Sequence, residues 1–151
     1  MPVKMVDIHS KKPILRIARA EGVISLKPQT IELIRERKIE KGDVISVSTV
    51  SAIMAAKNTP QILPLCHPIP IENVSLEFEL CQDKVRVLVT VKSTSKTGVE
   101  MEALTAVSAA LLCIWDMVKK YEKDELGQYP HTKIEYIRVL EKIKGGDTDE
   151  S

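Results

Sequence analysis

Alternation of apolar and polar residues predicts several strands in this chain. Val74 to Leu80 and Val85 to Val91 alternate on either side of the polar stretch 81–84, a pattern typical of a β-hairpin. Arg19 to Leu26 and Ile134 to Leu140 alternate less regularly and predict two further strands.

Other segments carry the features of helices. Pro28 suits the first turn of a helix, and apolar residues follow it at helical spacing as far as Arg37. Val44 to Val50 is β-branched and partly alternating, which predicts a strand, and the Ala and Met residues of Ala52 to Lys57 then favour a short helix. Val99 to Tyr121 is long and Ala-rich, with acidic residues at its start and lysines at its end, as the helix dipole favours.

This order of elements predicts an α+β fold. We expect a ferredoxin-like sandwich, in which an antiparallel sheet packs against helices that include one long helix in the C-terminal half. The length of 151 residues favours a single domain over residues 1–151, ending in a polar tail at 144–151. The long helix is apolar on more than one face, so we expect both the sheet and another subunit to cover it.

The composition indicates a globular protein with an aliphatic core. Hydrophobic residues make up 44% of the chain, and only one Trp, three Tyr and one Phe are present. The net charge of +1, without a basic cluster, argues against nucleic-acid and membrane partners. Met1 to Ser10 has no apolar signal region and no apolar run approaches membrane-spanning length, so we expect a cytoplasmic protein.

The cysteines do not indicate a disulfide framework or a metal site. They are Cys66, Cys81 and Cys113, an odd number without CxxC spacing. Cys81 and Cys113 lie in apolar surroundings, and we expect both to be unreactive core residues. No second His or Cys lies at ligand spacing from His67, so we assign no metal ligands.

The segment Asn58 to Pro70 is the first candidate functional region. It holds four prolines, which exclude a regular helix or a central strand, yet it is also rich in Ile and Leu. We therefore expect an ordered, partly buried loop, which is where function often resides. His67 is either a hydrogen-bonded structural residue or a phosphate donor or acid–base group aimed into a pocket. The loop alone does not decide between them.

Two further candidates also have adequate local explanations. Lys57 stands at the end of a predicted helix, where the dipole favours a cation. Lys96 to Glu102 enters the long helix, and its threonine and glutamates are normal helix-start residues. The same turn offers a lysine, a glycine and helix-start amides to an anion, although its spacing does not match a P-loop.

Asp116 and Lys119 form the last candidate. They are three residues apart and share one face of the long helix, so a surface ion pair is one explanation. Asp116 lies inside the most apolar run of the chain, where a carboxylate is costly unless it is paired. A pair at a pocket would tune the pKa values of both groups, which is typical of functional sites. The residues alone leave both readings open.

Together and in this order, these segments resemble the cyclic pyranopterin monophosphate synthase family (molybdenum cofactor biosynthesis protein C). The matching segments are 5–7, 55–57, 63–68, 96–106 and 116–119. The block Lys96 to Ala106 is the most specific, and the resemblance extends from about Met5 to Lys123. The chain departs from the family after Glu122: its end reads Lys142 to Asp147 in place of the usual Ser-Gly-Gly-type motif and tail. The stretch Gly127 to His131 has no assigned role.

The resemblance implies an active site made of particular residues. Asp116 falls at the position of the catalytic aspartate, Lys119 at that of its catalytic lysine partner, and Lys57 at that of an active-site lysine. The substrate-contacting positions are Leu65, Cys66, His67, Met101 and Glu102. Family members are homohexamers, trimers of dimers with active sites at subunit interfaces, which agrees with a long helix apolar on several faces.

The implied reaction converts 3′,8-cyclo-7,8-dihydro-GTP into cyclic pyranopterin monophosphate with loss of pyrophosphate, in molybdenum cofactor biosynthesis. This lyase chemistry needs proton transfers and positive charge, which lysines, a histidine and an aspartate supply. We expect no redox cofactor, because the chain has neither a dinucleotide fingerprint nor an iron–sulfur cysteine cluster. The alternative is a non-catalytic nucleotide-binding or regulatory α+β module, against which the presence of both Asp116 and Lys119 argues.

Overall fold

The computed structural model describes residues 1–145. Its elements, in chain order, are β1 (Ile14–Ser25), α1 (Pro28–Arg35), α2 (Val44–Lys57), α3 (Thr59–Ile62), β2 (Asn73–Leu80), β3 (Lys84–Ser95), α4 (Glu100–Glu122) and β4 (Lys133–Gly145). The four strands form one sheet in the order β2-β3-β1-β4, and every neighbouring pair is antiparallel. This is the strand–helix–strand–strand–helix–strand order of a ferredoxin-like sandwich, so the predicted fold class is confirmed.

The helices cover one face of the sheet. Residues Ala18, Ala20 and Ile24 of β1 point to that face and are fully buried, because β-strand side chains alternate between the two faces. The helix α4 packs over the central strands, and α2 lies beside it. Lys41, just before α2, contacts Asp116 near the end of α4, so the two helices are antiparallel. The end of α2 and the start of α4 therefore lie at the same end of the helical layer.

Gly22 of β1 marks the closest approach of the sheet to α4. A Cβ atom added at this position would lie 2.5 Å from Val107 Cγ1 and 2.7 Å from Leu111 Cδ1. Both distances are shorter than van der Waals contact, and both partners are fully buried. Glycine is therefore required here so that α4 can lie against the central strand.

We expect Gly22→Ala to destabilise the fold by about 1–3 kcal/mol, the usual cost of forcing extra atoms into a packed core. Gly145→Ala is the matched control, because its new Cβ would meet only the side chain of Leu15, at 3.1 Å. Urea unfolding of both variants at one protein concentration measures the difference. Equal unfolding midpoints for the two variants would contradict the packing argument.

The predicted strand at Val44–Val50 is wrong, because these residues form the first half of the single helix α2. The buried residues of α2 are Val44, Ser48, Ala52 and Ala56, which recur every four residues and make one narrow face. Three of these side chains are small, which lets α2 lie close to α4. Tertiary packing thus overrides the weak strand preference of the β-branched residues.

Several predicted boundaries also shift. The helix α1 ends at Arg35, before the predicted Arg37, which itself takes a left-handed conformation (φ 58°). The proline-rich segment is a loop only after α3, a short helix that tolerates Pro60 because the first turn needs no N–H donor there. The strand β4 continues to Gly145, so Lys144 and Gly145 belong to the sheet and not to the predicted tail. The rest of that tail, 146–151, lies outside the described residues.

Two further expectations are corrected by the packing. Cys81, in the turn between β2 and β3, and Cys113, on α4, are both half-buried, so neither is a fully buried core residue. The helix α4 is, by length and composition alone, long and apolar enough to cross a membrane, contrary to the expectation that no segment was. Half of its apolar stretch is buried inside the structure, as in a core helix.

Candidate active site

The predicted substrate-contacting residues lie around one pocket, which we call the loop pocket. It has a volume of about 470 Å³ and lies between residues 63–67 of the proline-rich loop and the turn that enters α4. Leu65, Cys66 and His67 line one side, and Met101 lines the other together with Thr97 and Gly98. His67 is half-buried, and the Leu65 and Met101 side chains are partly exposed. The pocket therefore offers apolar surface with a few polar groups.

Glu102 is a buried carboxylate beside the loop pocket. Its residue is 1% exposed, and the Cys66 thiol donates a hydrogen bond to its Oε2 over 3.7 Å. Within residues 1–145, its Oε1 is buried without a hydrogen-bond partner. Burial raises the pKa of Glu102, and the nearby Glu100 charge raises it further, although hydrogen bonds from the backbone and Cys66 act in the opposite direction. The surroundings of Glu102 thus favour its neutral form more than those of an exposed carboxylate do.

The pKa of the neighbouring Glu100 carboxyl group shifts in the opposite direction, to below its ordinary value. Burial alone would raise its pKa, but a backbone hydrogen bond and then Lys142 of β4, 3.1 Å away, hold that pKa below its ordinary value. Two carboxylates whose environments push their pKa values apart are a frequent basis for acid and base roles in one site.

Burial also raises the pKa of the Cys66 thiol, and the Glu102 charge raises it further. Cys66 therefore stays a neutral hydrogen-bond donor and is not poised as a thiolate nucleophile.

Lys57 lies at the same end of the molecule. It is the last residue of α2 and is exposed, at the end of the helical layer where α4 begins. In the part of the chain that the structure describes, its ammonium group makes no hydrogen bond or ion pair. An exposed lysine without a partner among the described residues is free to reach an anionic ligand.

Asp116 and Lys119 lie near the other end of α4. Lys119 Nζ is 2.9 Å from Asp116 Oδ1, and both side chains line a groove of about 380 Å³ with Leu112, Trp115 and Ile134. Hydrogen bonds from Lys119 and then Lys41 hold the pKa of Asp116 below its ordinary value, and Asp116 in turn raises the pKa of Lys119. The Asp116 side chain is 60% exposed in the single chain, although its neighbours in the sequence are apolar. The carboxylate lies on the outer face of the helix.

The two groups of predicted residues do not meet within one chain. From Met101 to Asp116 the helix rises about 22 Å, at about 1.5 Å per residue. Lys57, the loop residues, Met101 and Glu102 lie at one end of this length, whereas Asp116 and Lys119 lie at the other. Within a single chain the predicted site residues therefore form two separate groups, which we call half-sites because the prediction assigns them to one active site.

The sequence matches the MoaC family over residues 5–145, nearly all of the chain. This chain belongs to the MoaC family. Proteins named "Probable cyclic pyranopterin monophosphate synthase" are similar to it. The one from Sulfurisphaera tokodaii is 58% identical over 144 residues, covering 95% of each chain. Those from Pyrococcus furiosus (58% identical, 94% of this chain and 91% of the relative) and Sulfolobus acidocaldarius (59%, 93% and 98%) are comparably similar. The resemblance read from the sequence is confirmed.

The match to the MoaC family includes β4, although the motifs read from the sequence departed from the family's pattern after Glu122. It extends to residue 145 and so includes Lys142, whose ion pair with Glu100 ties this strand to the turn that enters α4. Arg16 of β1 supports the same turn by donating hydrogen bonds to the carbonyl oxygens of Ser95 and Lys96, each over 3.3 Å. Strand-end residues thus fix the entry to α4 beside the loop pocket.

Sequence reasoning missed several groups around the half-sites of this MoaC chain. Lys41 pairs with Asp116, and Tyr129 packs edge-on against Trp115, with ring centroids 5.1 Å apart. Tyr129 comes from the 127–131 stretch that had no assigned role. Residues of the amino-terminal segment 4–11 line a further cavity of about 410 Å³ together with Leu65 and His67. Of these, only the Asp7 segment had a sequence signal, as part of the family resemblance.

Proposed function

We propose that this chain is a single-domain lyase, a cyclic pyranopterin monophosphate synthase. It converts 3′,8-cyclo-7,8-dihydro-GTP into cyclic pyranopterin monophosphate and pyrophosphate, as a step of molybdenum cofactor biosynthesis. The observation that carries this proposal is membership of the MoaC family over residues 5–145, with relatives of that name at 58–59% identity. We expect this biosynthetic enzyme to work in the cytoplasm.

The two half-sites hold the groups that such a reaction needs. Opening a purine ring and closing a cyclic phosphate require proton transfers at several atoms, and a departing pyrophosphate requires nearby positive charge. In this proposal, Asp116 and Lys119 are the acid–base pair, and Lys57 and His67 bind phosphate. Glu102, whose pKa is raised by burial, supplies a proton to the ring within the loop pocket.

The spacing of the half-sites supports assembly of the active site from two chains. No rearrangement of α4 brings Met101 next to Asp116 while the helix stays intact, so in this proposal the two groups that meet in one active site come from different copies of the chain. The helix α2 presents an apolar outer strip of Val47, Val50 and Met54, which are 42%, 56% and 58% exposed. Exposed apolar patches of this kind mark protein–protein contacts. We propose a homohexamer, a trimer of dimers, with active sites at subunit interfaces.

We expect the purified protein to turn over 3′,8-cyclo-7,8-dihydro-GTP without added flavin, nicotinamide or metal cluster. The conversion involves no net oxidation, so an external electron carrier has no part in it. Pyrophosphate release and pterin fluorescence after oxidation are the two readouts. A folded protein that binds the authentic substrate and releases no pyrophosphate would instead be the non-catalytic nucleotide-binding module.

A further inference from the structure

The groove beside Asp116 and Lys119 has an aromatic wall. Trp115 lines it from α4, and Leu112 and Ile134 add further apolar surface. Trp115 and Lys119 are four residues apart on the helix, so their side chains are neighbours on its surface. The indole ring therefore forms the side of the groove next to the lysine, and a shift of this ring changes the space beside the proposed acid–base pair.

Tyr129, from the stretch between α4 and β4, packs against this wall. Its ring centroid is 5.1 Å from that of Trp115 and the two rings are inclined by 71°, an edge-to-face arrangement. Aromatic pairs in this geometry attract one another beyond the effect of the apolar area that they bury. The pKa of Lys119 is raised mainly by Asp116, and Tyr129 is close enough to add to the rise. Tyr129 thus lies beside both Trp115 and Lys119.

The segment 123–132, which carries Tyr129, is folded by its own hydrogen bonds. Asp124 Oδ1 accepts hydrogen bonds from the N–H groups of Leu126 and Gln128, each over 2.9 Å. The Asp124 N–H in turn donates to the Gln128 carbonyl oxygen over 2.9 Å, which closes the turn. Tyr129 follows this turn directly, so its backbone starts from a fixed point.

A buried carboxylate fixes the far end of the same segment. Glu122 is fully buried, and the Thr132 hydroxyl donates to its Oε1 over 2.6 Å. Its Oε2 accepts hydrogen bonds from the Lys27 N–H, over 3.1 Å, and from the Thr30 hydroxyl. These donors join the end of α4 to the start of α1 and to the entry of β4. The segment is therefore anchored at both ends, and the ring of Tyr129 has a prearranged position.

We propose that Tyr129 is a positioning residue of the active site, which holds the Trp115 indole as a fixed wall for the substrate beside Lys119. This inference rests on the proposed function, in which the groove receives part of the substrate. A side chain that is already held in place loses little conformational entropy when a ligand binds against it. Tyr129 thus strengthens substrate binding through Trp115, equally in the ground state and in the transition state.

The test is the steady-state kinetics of Tyr129→Ala with 3′,8-cyclo-7,8-dihydro-GTP. We expect KM to rise roughly threefold to tenfold, the range that the loss of one aromatic pair corresponds to. The value of kcat should stay within about twofold of the wild type, because an interaction that is equal in both states changes KM alone. A merely structural role predicts the opposite split, since partial unfolding lowers the number of active molecules and leaves KM unchanged.

Two other substitutions at the same position separate the ring from the rest of the side chain. Tyr129→Phe keeps the ring and should retain the wild-type KM. Tyr129→Leu keeps an apolar side chain without the ring and should show the raised KM, which covers the case in which alanine unfolds the segment. A KM in Tyr129→Phe as high as in Tyr129→Leu would overturn the proposal, because the ring contact would then not be the cause.

Leu126→Ala is the matched control. Leu126 belongs to the same segment and is 79% exposed, and its N–H rather than its side chain takes part in the turn. We expect its KM and kcat to match the wild type. An unchanged KM in Tyr129→Ala, or an equal rise in Leu126→Ala, would overturn the positioning role and leave the proposed function standing. Wild-type protein without turnover would instead refute the proposed function, and the role of Tyr129 with it.

Discussion

Asp116→Asn is expected to lower turnover by roughly a hundredfold or more while fold and assembly remain intact, because general acid–base groups typically contribute this much. The substitution keeps the shape of the side chain but removes the charge that Lys119 and Lys41 share. The side chain is 60% exposed in the single chain, so its loss should leave the unfolding curve nearly unchanged. Steady-state pyrophosphate release, together with light scattering, separates the catalytic effect from a folding defect.

Lys119→Met is expected to cause a loss of similar size. The double variant should be little worse than the worse single variant, since residues that act as one unit are strongly non-additive. The acid limb of the wild-type kcat profile should lie below the ordinary carboxyl range, because the lysines depress the pKa of Asp116. Near-normal rates in both single variants would identify the pair as a surface ion pair without a catalytic role.

Mixing two inactive variants should restore activity if each active site draws on two chains. Lys57→Met and Asp116→Asn alter opposite ends of the molecule, because α2 ends where α4 begins. In a two-fold dimer, random pairing of subunits makes half of the dimers mixed, and one of the two sites in each mixed dimer is free of both substitutions. The mixture should therefore recover about a quarter of the wild-type specific activity.

The control mixture combines Asp116→Asn with Lys119→Met. Both substitutions affect the same half-site, so every site in every mixed dimer carries one of them, and no recovery is expected. Co-purification of differently tagged subunits verifies that the chains exchange in both mixtures. Subunits that exchange fully and recover nothing in the first mixture would refute the shared site. Light scattering that gives a fully active monomer would refute it independently.

The sequence predicted those elements whose pattern is strong and local. The β2–β3 hairpin and the long helix α4 were both found within a few residues of their observed bounds. The first half of α2 was wrongly predicted as a strand, because the seven β-branched or hydroxyl-bearing residues at its start favour a strand locally. Its helical state depends on the narrow face of small residues that packs against α4, a contact between distant segments. Such a contact leaves no signal in a local window.

For the candidate site, too, the sequence predicted the local features and missed those that depend on contacts between distant segments. Family resemblance supplied Asp116, Lys119 and Glu102 by position, but not their environments. The opposite pKa shifts of Glu100 and Glu102 depend on Lys142 of the last strand and on burial beside the proline-rich loop. Lys41 carries no local signal, since a lysine before a glycine turn is common, and only the folded chain brings it to Asp116.

The edge-on contact between Trp115 and Tyr129 gives this chain an optical reporter at one half-site. Trp115 is the chain's single tryptophan, and it lines the groove next to Asp116 and Lys119. Its emission therefore comes from one known place, without a background from other indole rings. In the proposed assembly, ligand entry, subunit exchange and titration of the neighbouring charges all take place within reach of that ring, so unlabelled fluorescence of the native protein can follow each of them.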